Sequence, residues 1–213
     1  MNRLFVVAFL LISNVICALS APASTTLINN SGFYISQIDT MSNGKWILTG
    51  LNGSIYTSNN IDKTFEKKMT LANSLSFKKA RIGNDWILNI MLPNTLVTKF
   101  VRYRSDKDTV ELIKSMSNQL YTSIASQGTK IFASGAVLAG TALKGTIISS
   151  IDEGKTWKTL FQTSNSQMIM SVVAKGNDTL IACGYNGYLA FSYDNGNTWN
   201  EDYIGLNIEL NQI

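Results

Sequence analysis

The chain has 213 residues, 45% of them hydrophobic and 15% charged, a balance that supports a globular core and excludes wholesale disorder. It contains no histidine, which removes Ser–His and Cys–His nucleophile pairs and the common zinc sets. The formal charge is +4, but the lysines are scattered with no basic run, so neither nucleic acid nor an anionic membrane is an expected partner.

The first element in the chain is an expected export signal at residues 1–23. Arg3 supplies the positive start, Leu4 to Ile12 is an unbroken apolar run, and Ala18-Leu19-Ser20 or Ala21-Pro22-Ala23 offers the small-residue cleavage pattern. A membrane span needs about 20 apolar residues, and Ser13 and Asn14 interrupt this run well short of that. The expected mature protein is therefore secreted or periplasmic, with no span. Cleavage removes Cys17 and leaves Cys183 alone, so no disulfide is expected to staple the fold. Cys183 lies in the apolar run Leu180 to Cys183, which suits a small core side chain better than a nucleophile.

Beyond the signal the chain repeats itself. Four segments share the form S-x-D-x-G-x-T-W, two of them intact: Ser150, Asp152, Gly154 and Trp157, then Ser192, Asp194, Gly196 and Trp199. An earlier copy is altered, with Ser58, Asn60, Asp62 and Phe65 at the corresponding places. Another, Tyr103 to Val110, is barely visible, and its small Val110 plug predicts the least regular turn of the four. The copies begin at residues 58, 103, 150 and 192, a spacing of 45, 47 and 42 that matches propeller blades. In the two intact copies the acidic side chain can accept from turn N–H groups, glycine allows positive φ, and the tryptophan begins the next strand and buries an apolar face.

The same strand order recurs around each copy, and the Asn-Gly pairs at Asn52-Gly53 and Asn186-Gly187 are hairpin signals between two β-prone runs. In the first blade strands A to D are predicted at Tyr34–Asp39, Lys45–Thr49, Ser54–Ser58 and Thr64–Met69. In the fourth they are predicted at Met168–Ala174, Thr179–Cys183, Tyr188–Ser192 and Thr198–Tyr203. The middle blades have B strands at Asp85–Ile90 and Lys130–Ser134. The expected fold is all-β, a β-propeller of four blades at about 24–70, 71–115, 116–162 and 163–213, each with four antiparallel strands. Residues 25–28 align with D strands and 206–213 with an A strand. That leaves two readings open: a shortened version of a longer propeller, or a small closed assembly whose termini pair differently.

These motifs resemble the Asp-box, or bacterial neuraminidase (BNR) repeat, β-propeller superfamily. The layout is most similar to photosystem II assembly/stability factor-like repeats, and also to sialidase-like and sortilin-like ones. The resemblance implies a fold and leaves function to the site. A sialidase needs three converging arginines, whereas the mature chain has Arg81, Arg102 and Arg104, the last two on one strand face. The Arg-Ile-Pro signature is absent, because Arg81-Ile82-Gly83 lacks the proline. No catalytic residue, cofactor site or metal site is therefore assigned. The expected function is a binding or assembly module for another protein, or for a glycan; a carbohydrate-active enzyme or its remnant is the alternative. The B–C loops of the second and third blades read as longer than the others, at Met91–Thr98 and Ala136–Lys144, so Met91, Pro93, Asn94, Leu143 and Lys144 are the candidate binding residues.

Overall fold

The computed structural model describes residues 34–61, 64–164, 167–205 and Leu210. The expected signal peptide, the strand at 25–28, Asp62 and all but Leu210 of the terminal A strand lie outside the described residues.

Among the described residues sixteen strands follow one another in chain order. Blade 1 holds β1 (Ile35–Thr40), β2 (Trp46–Gly50), β3 (Ile55–Ser58) and β4 (Glu66–Met69). Blade 2 holds β5 (Lys79–Ile82), β6 (Asp85–Leu92), β7 (Val97–Arg104) and β8 (Thr109–Ser117). Blade 3 holds β9 (Gln119–Gln127), β10 (Lys130–Ala139), β11 (Ala142–Ser150) and β12 (Lys158–Gln162). Blade 4 holds β13 (Ile169–Lys175), β14 (Thr179–Gly184), β15 (Tyr188–Ser192) and β16 (Asn200–Tyr203). Each blade is a separate antiparallel sheet in which strands pair only with their neighbours in sequence. Predicted strands A to D are all present, within one or two residues at most ends. The final strands start later than predicted because Phe65, Trp157 and Trp199 belong to the turn rather than to the strand.

The core is built between blades. In β6 the sequence Trp86-Ile87-Leu88-Asn89-Ile90 alternates across the sheet. Trp86, Leu88 and Ile90 meet Met41, Ile47 and Ile55 of blade 1. Ile87, on the opposite face, packs with Phe100 against Tyr121, Ile124, Ile131 and Ala133 of blade 3. Blades 3 and 4 join through Ile147 against Ile169 and Tyr188, and through Phe132 against Val172 and Leu180. Both faces of β6 are thus buried, which explains its near-continuous apolar run. Two polar side chains tie these seams together: Asn89 donates from Nδ2 to the Tyr121 carbonyl, and Thr122 from Oγ1 to Met170 O at 2.9 Å, whereas Asn89 Oδ1 and Trp86 Nε1 are buried without a hydrogen-bond partner.

Replacing Ile87 by Ala should cost about 2–5 kcal/mol, since its side chain is fully buried in the seam between blades 2 and 3. Urea unfolding checks this; a loss under about 1 kcal/mol would mean that the seam does not hold the blades together.

Candidate functional site

The two intact repeats form the same turn. Asp152 accepts from Thr156 N at 2.9 Å, from Thr156 Oγ1 at 2.7 Å and from Ser150 Oγ at 2.8 Å. Asp194 repeats this with Thr198 N at 2.8 Å, Thr198 Oγ1 at 2.7 Å and Ser192 Oγ at 2.9 Å. The Ser150 and Ser192 hydroxyls each accept from the glycine N–H four residues on, at 2.8 Å. Gly154 and Gly196 have φ of +90° and +87°, as the sequence predicted. These donors hold both aspartates below the usual carboxylate range, Asp152 at about 2.

The tryptophans sit in the seams, packed against clusters drawn from their own and the preceding blade. Trp157 stacks on Phe100 of blade 2 with centroids 4.3 Å apart, and Trp199 meets Phe161 of blade 3 at 5.3 Å. Each indole N–H is satisfied locally, by Gly154 O at 2.8 Å and Gly196 O at 3.1 Å.

The altered copies are wired differently. In blade 1 the Ser58 hydroxyl donates to Asn60 O at 2.7 Å and to Thr64 O at 3.1 Å, while Phe65 fills the buried plug position. In blade 2 the turn was expected to be the least regular, yet β7 and β8 form a long hairpin closed by Ser105–Asp108. Its order comes from other groups: Asp85 Oδ1 accepts from Ser105 N at 2.9 Å, and the buried Tyr103 donates its hydroxyl to Asp108.

A second regularity was not predicted. The turn after each C strand in blades 2 to 4 carries a left-handed, non-glycine residue: Asp108, Glu153 and Asn195, with φ of 54°, 61° and 61°. Each reaches back to the preceding blade. Asp108 pairs with Lys45 at 3.2 Å and Lys68 at 2.9 Å, Glu153 with Arg102 at 2.5 Å, and Asn195 with Lys130 at 3.2 Å. Burial alone would raise the Asp108 pKa, but hydrogen bonds from Tyr103, Lys68 and Lys45 outweigh it and hold the group at about 2.

The Glu153 contact forms part of a crevice of about 230 Å³ lined by Arg102, Glu111, Leu112, Ile113, Glu153 and Lys155. It lies between the outer strand of blade 2 and the turn of blade 3. Arg102 is fixed by Asp85 as well, at 2.8 Å, and Arg104 adds contacts to Asp85 at 3.3 Å, Asp106 at 3.5 Å and Glu111 at 3.6 Å. Arg102 and Arg104 thus share one face of β7, as their spacing implied, and both serve ion pairs. Among the described residues no group of three or more metal-ligating side chains comes together. Also among them, no helix is long and apolar enough to cross a membrane.

The candidate binding residues are not on long loops. Met91 is a buried residue of β6, while Pro93 and Asn94 form a short 3-10 turn, Pro93–Thr95. Leu143 and Lys144 are inside β11, paired with Leu138 and Val137. The strands run on because Gly135, which reads as a strand break, sits at a bulge where a Cβ would lie 2.0 Å from the Leu120 carbonyl. Only Gly140 and Thr141 remain as the turn in blade 3.

Near the axis, Lys78 donates from Nζ to Ser171 of blade 4 at 2.7 Å, and burial lowers its pKa. Lys79 is buried with its ammonium 5.2 Å from the Trp86 ring centroid; desolvation lowers its pKa to about 8, although Asp39 acts in the opposite direction.

No protein-family model matches the chain, and no curated protein matches it. Solved structures do. YCF48 from Cyanidioschyzon merolae superposes with a TM-score of 0.60 at 12% identity, over 87% of this chain and 60% of that one. YCF48 bound to a D1 peptide gives 0.58 at 15% identity, over 88% and 58%. The WD40 repeats of RRP9 give 0.59 at 8% identity, over 82% and 52%. The fold is a β-propeller. The chain spans between about half and three fifths of the length of these propellers.

Two substitutions test this local analysis. Gly196→Ala places a Cβ 2.6 Å from Leu160 Cδ1 at a φ of +87° and should cost about 1–3 kcal/mol by urea unfolding. Lys79→Met should stabilise the protein at pH 7 by on the order of 1–3 kcal/mol. The folded pKa of Lys79 is depressed, so its buried charge costs stability below about pH 8 and that cost fades as pH rises towards 10.5. The advantage of the variant should therefore shrink between pH 8 and 10.5, and an unchanged advantage would refute the electrostatic cause.

Proposed function

We propose that this chain is an exported, non-catalytic propeller of the Asp-box type that binds a segment of another protein. Its likeness to a propeller solved with a bound peptide supports a protein partner, and the shared wiring of the Ser150 and Ser192 turns supports the repeat type. The observation that carries the reading is the crevice between blades 2 and 3. There Glu153 is paired with Arg102, and Glu111 with the neighbouring Arg104, and this arrangement suits recognition more than proton transfer. The apolar start of the chain supports export.

A second reading, glycoside hydrolysis, draws on Glu111 and Glu153 lining the same crevice, since two flanking carboxylates are what that chemistry uses. Both readings are tested by one pair of assays on the full chain. A panel of immobilised peptides should show saturable binding in roughly the micromolar range, and chromogenic glycosides should show no turnover. Hydrolysis that disappears in Glu111→Gln would reverse the assignment, and failure of every peptide to bind would remove the protein-binding reading.

A further inference from the structure

The outer strands of the four blades are unequal. β4, β12 and β16 have 4, 5 and 4 residues, whereas β8 has 9. Among the described residues β8 pairs only with β7, so its other edge presents backbone N–H and C=O groups with no strand partner among them. Folded proteins blunt such edges by shortening them, by adding proline, by charged side chains or by bulges. β8 carries Glu111, Lys114 and a bulge, but it is long, lacks proline, and is exposed at most of its positions, with Leu112 59% exposed.

The same strand lines the crevice. Glu111, Leu112 and Ile113 of β8 form one side, while Glu153 and Lys155 of the blade 3 turn form the other. A bulge opposite the Phe100–Val101 step makes Ile113 the extra residue of the ladder, and its side chain packs into the seam beside Gly154. The bulge leaves Glu111 on the blade 3 side, opposite Arg102. The crevice therefore lies beside a free edge, where a side chain of an added strand would project.

The local charges select that side chain. The crevice is lined by two carboxylates, Glu111 and Glu153, and two cations, Arg102 and Lys155, with Asp85, Arg104 and Asp106 linked to them by ion pairs. Asp85 is the most buried of the four carboxylates and is already shared by both arginines. The side chains of Glu111 and Glu153 are 50% and 41% exposed, so each keeps acceptor capacity towards solvent. Ile113 and Leu112 supply apolar surface for an aliphatic stem. Because the chain as a whole carries +4, the attraction acts at contact range and gives no long-range steering.

We infer that β8 is a strand-addition site that takes an extended peptide segment of a partner protein, with a lysine or arginine of that segment seated between Glu111 and Glu153. The inference rests on the protein-binding reading and adds the place, the backbone geometry and the residue type.

The test uses the full chain and a capped nonapeptide, Thr-Val-Ser-Thr-Lys-Thr-Val-Ser-Thr. Titration should give saturable binding, and hydrogen exchange should show added protection confined to the β8 amides. Two isomers N-methylated on alternating residues separate backbone pairing from side-chain recognition, because a strand offers one set of donors to each edge. One isomer should lose binding and the other should keep it. Exchanging the peptide lysine for glutamate, or making Glu111→Gln in the protein, should weaken binding roughly five- to tenfold, the size expected for a charge-assisted hydrogen bond. Equal binding by both isomers overturns strand addition, and equal binding of the lysine and glutamate peptides overturns the cation subsite. Binding with protection elsewhere, or no binding up to millimolar peptide, overturns the β8 site. Neither result touches the protein-binding reading, which stands or falls on the peptide panel.

Discussion

Each sheet in this chain depends on the face of the next one. A four-stranded sheet of these lengths has two apolar faces and cannot bury both by itself, so the stabilising unit is the seam between blades. Ile87, Phe100, Tyr121 and Ile131 in one seam, and Ile147, Ile169 and Tyr188 in another, do what a central core does in other folds. The core clusters of the described residues each join two blades, so these seams carry most of the hydrophobic stabilisation. The glycine, the tryptophan and the left-handed residue of the two intact turns make sense only in relation to them.

The repeated turn connects local chemistry to this packing. Asp152 and Asp194 gather turn donors, which fixes the direction in which Trp157 and Trp199 leave the turn. The indoles then land on Phe100 and Phe161 of the preceding blade. One residue before each glycine, Glu153 and Asn195 reach back over the same seam with a polar contact. The turn thus joins adjacent blades twice, once through an aromatic ring and once through a hydrogen bond. Blade 2, which lacks the glycine and the tryptophan, obtains the same attachment to blade 1 from Asp108 and its two lysines.

The crevice between blades 2 and 3 is a product of that attachment. Glu153 is there to hold Arg102, and Glu111 stands opposite Arg102 on the outermost strand of blade 2. Both carboxylates have arginine partners, and both remain substantially exposed, which leaves oxygen lone pairs turned to solvent. β8, the longest of the four outer strands, runs beside them, so in the proposed site backbone pairing and charge recognition would come from adjacent features.

The all-β repeat architecture, the strand order and the roles of Asp152, Gly154, Asp194 and Gly196 were legible in the sequence because they rest on local rules: period-2 alternation, a regular repeat and turn residues with defined φ. The extent of the middle hairpins was not. Gly135 reads as a break in one dimension, and only the close approach of the Leu120 carbonyl shows why glycine continues the strand there. Leu143 and Lys144 consequently lie in β11 rather than in a loop, and Met91 lies in β6, which runs on to Leu92. The contact of Glu153 with Arg102 joins residues 51 positions apart, and the free edge of β8 depends on which blade lies beside it. Sequence alone determined what each repeat is, because a turn encloses its own hydrogen bonds. Tertiary structure alone decided where repeats expose an edge and gather charges, because those features arise between blades that are distant in the chain.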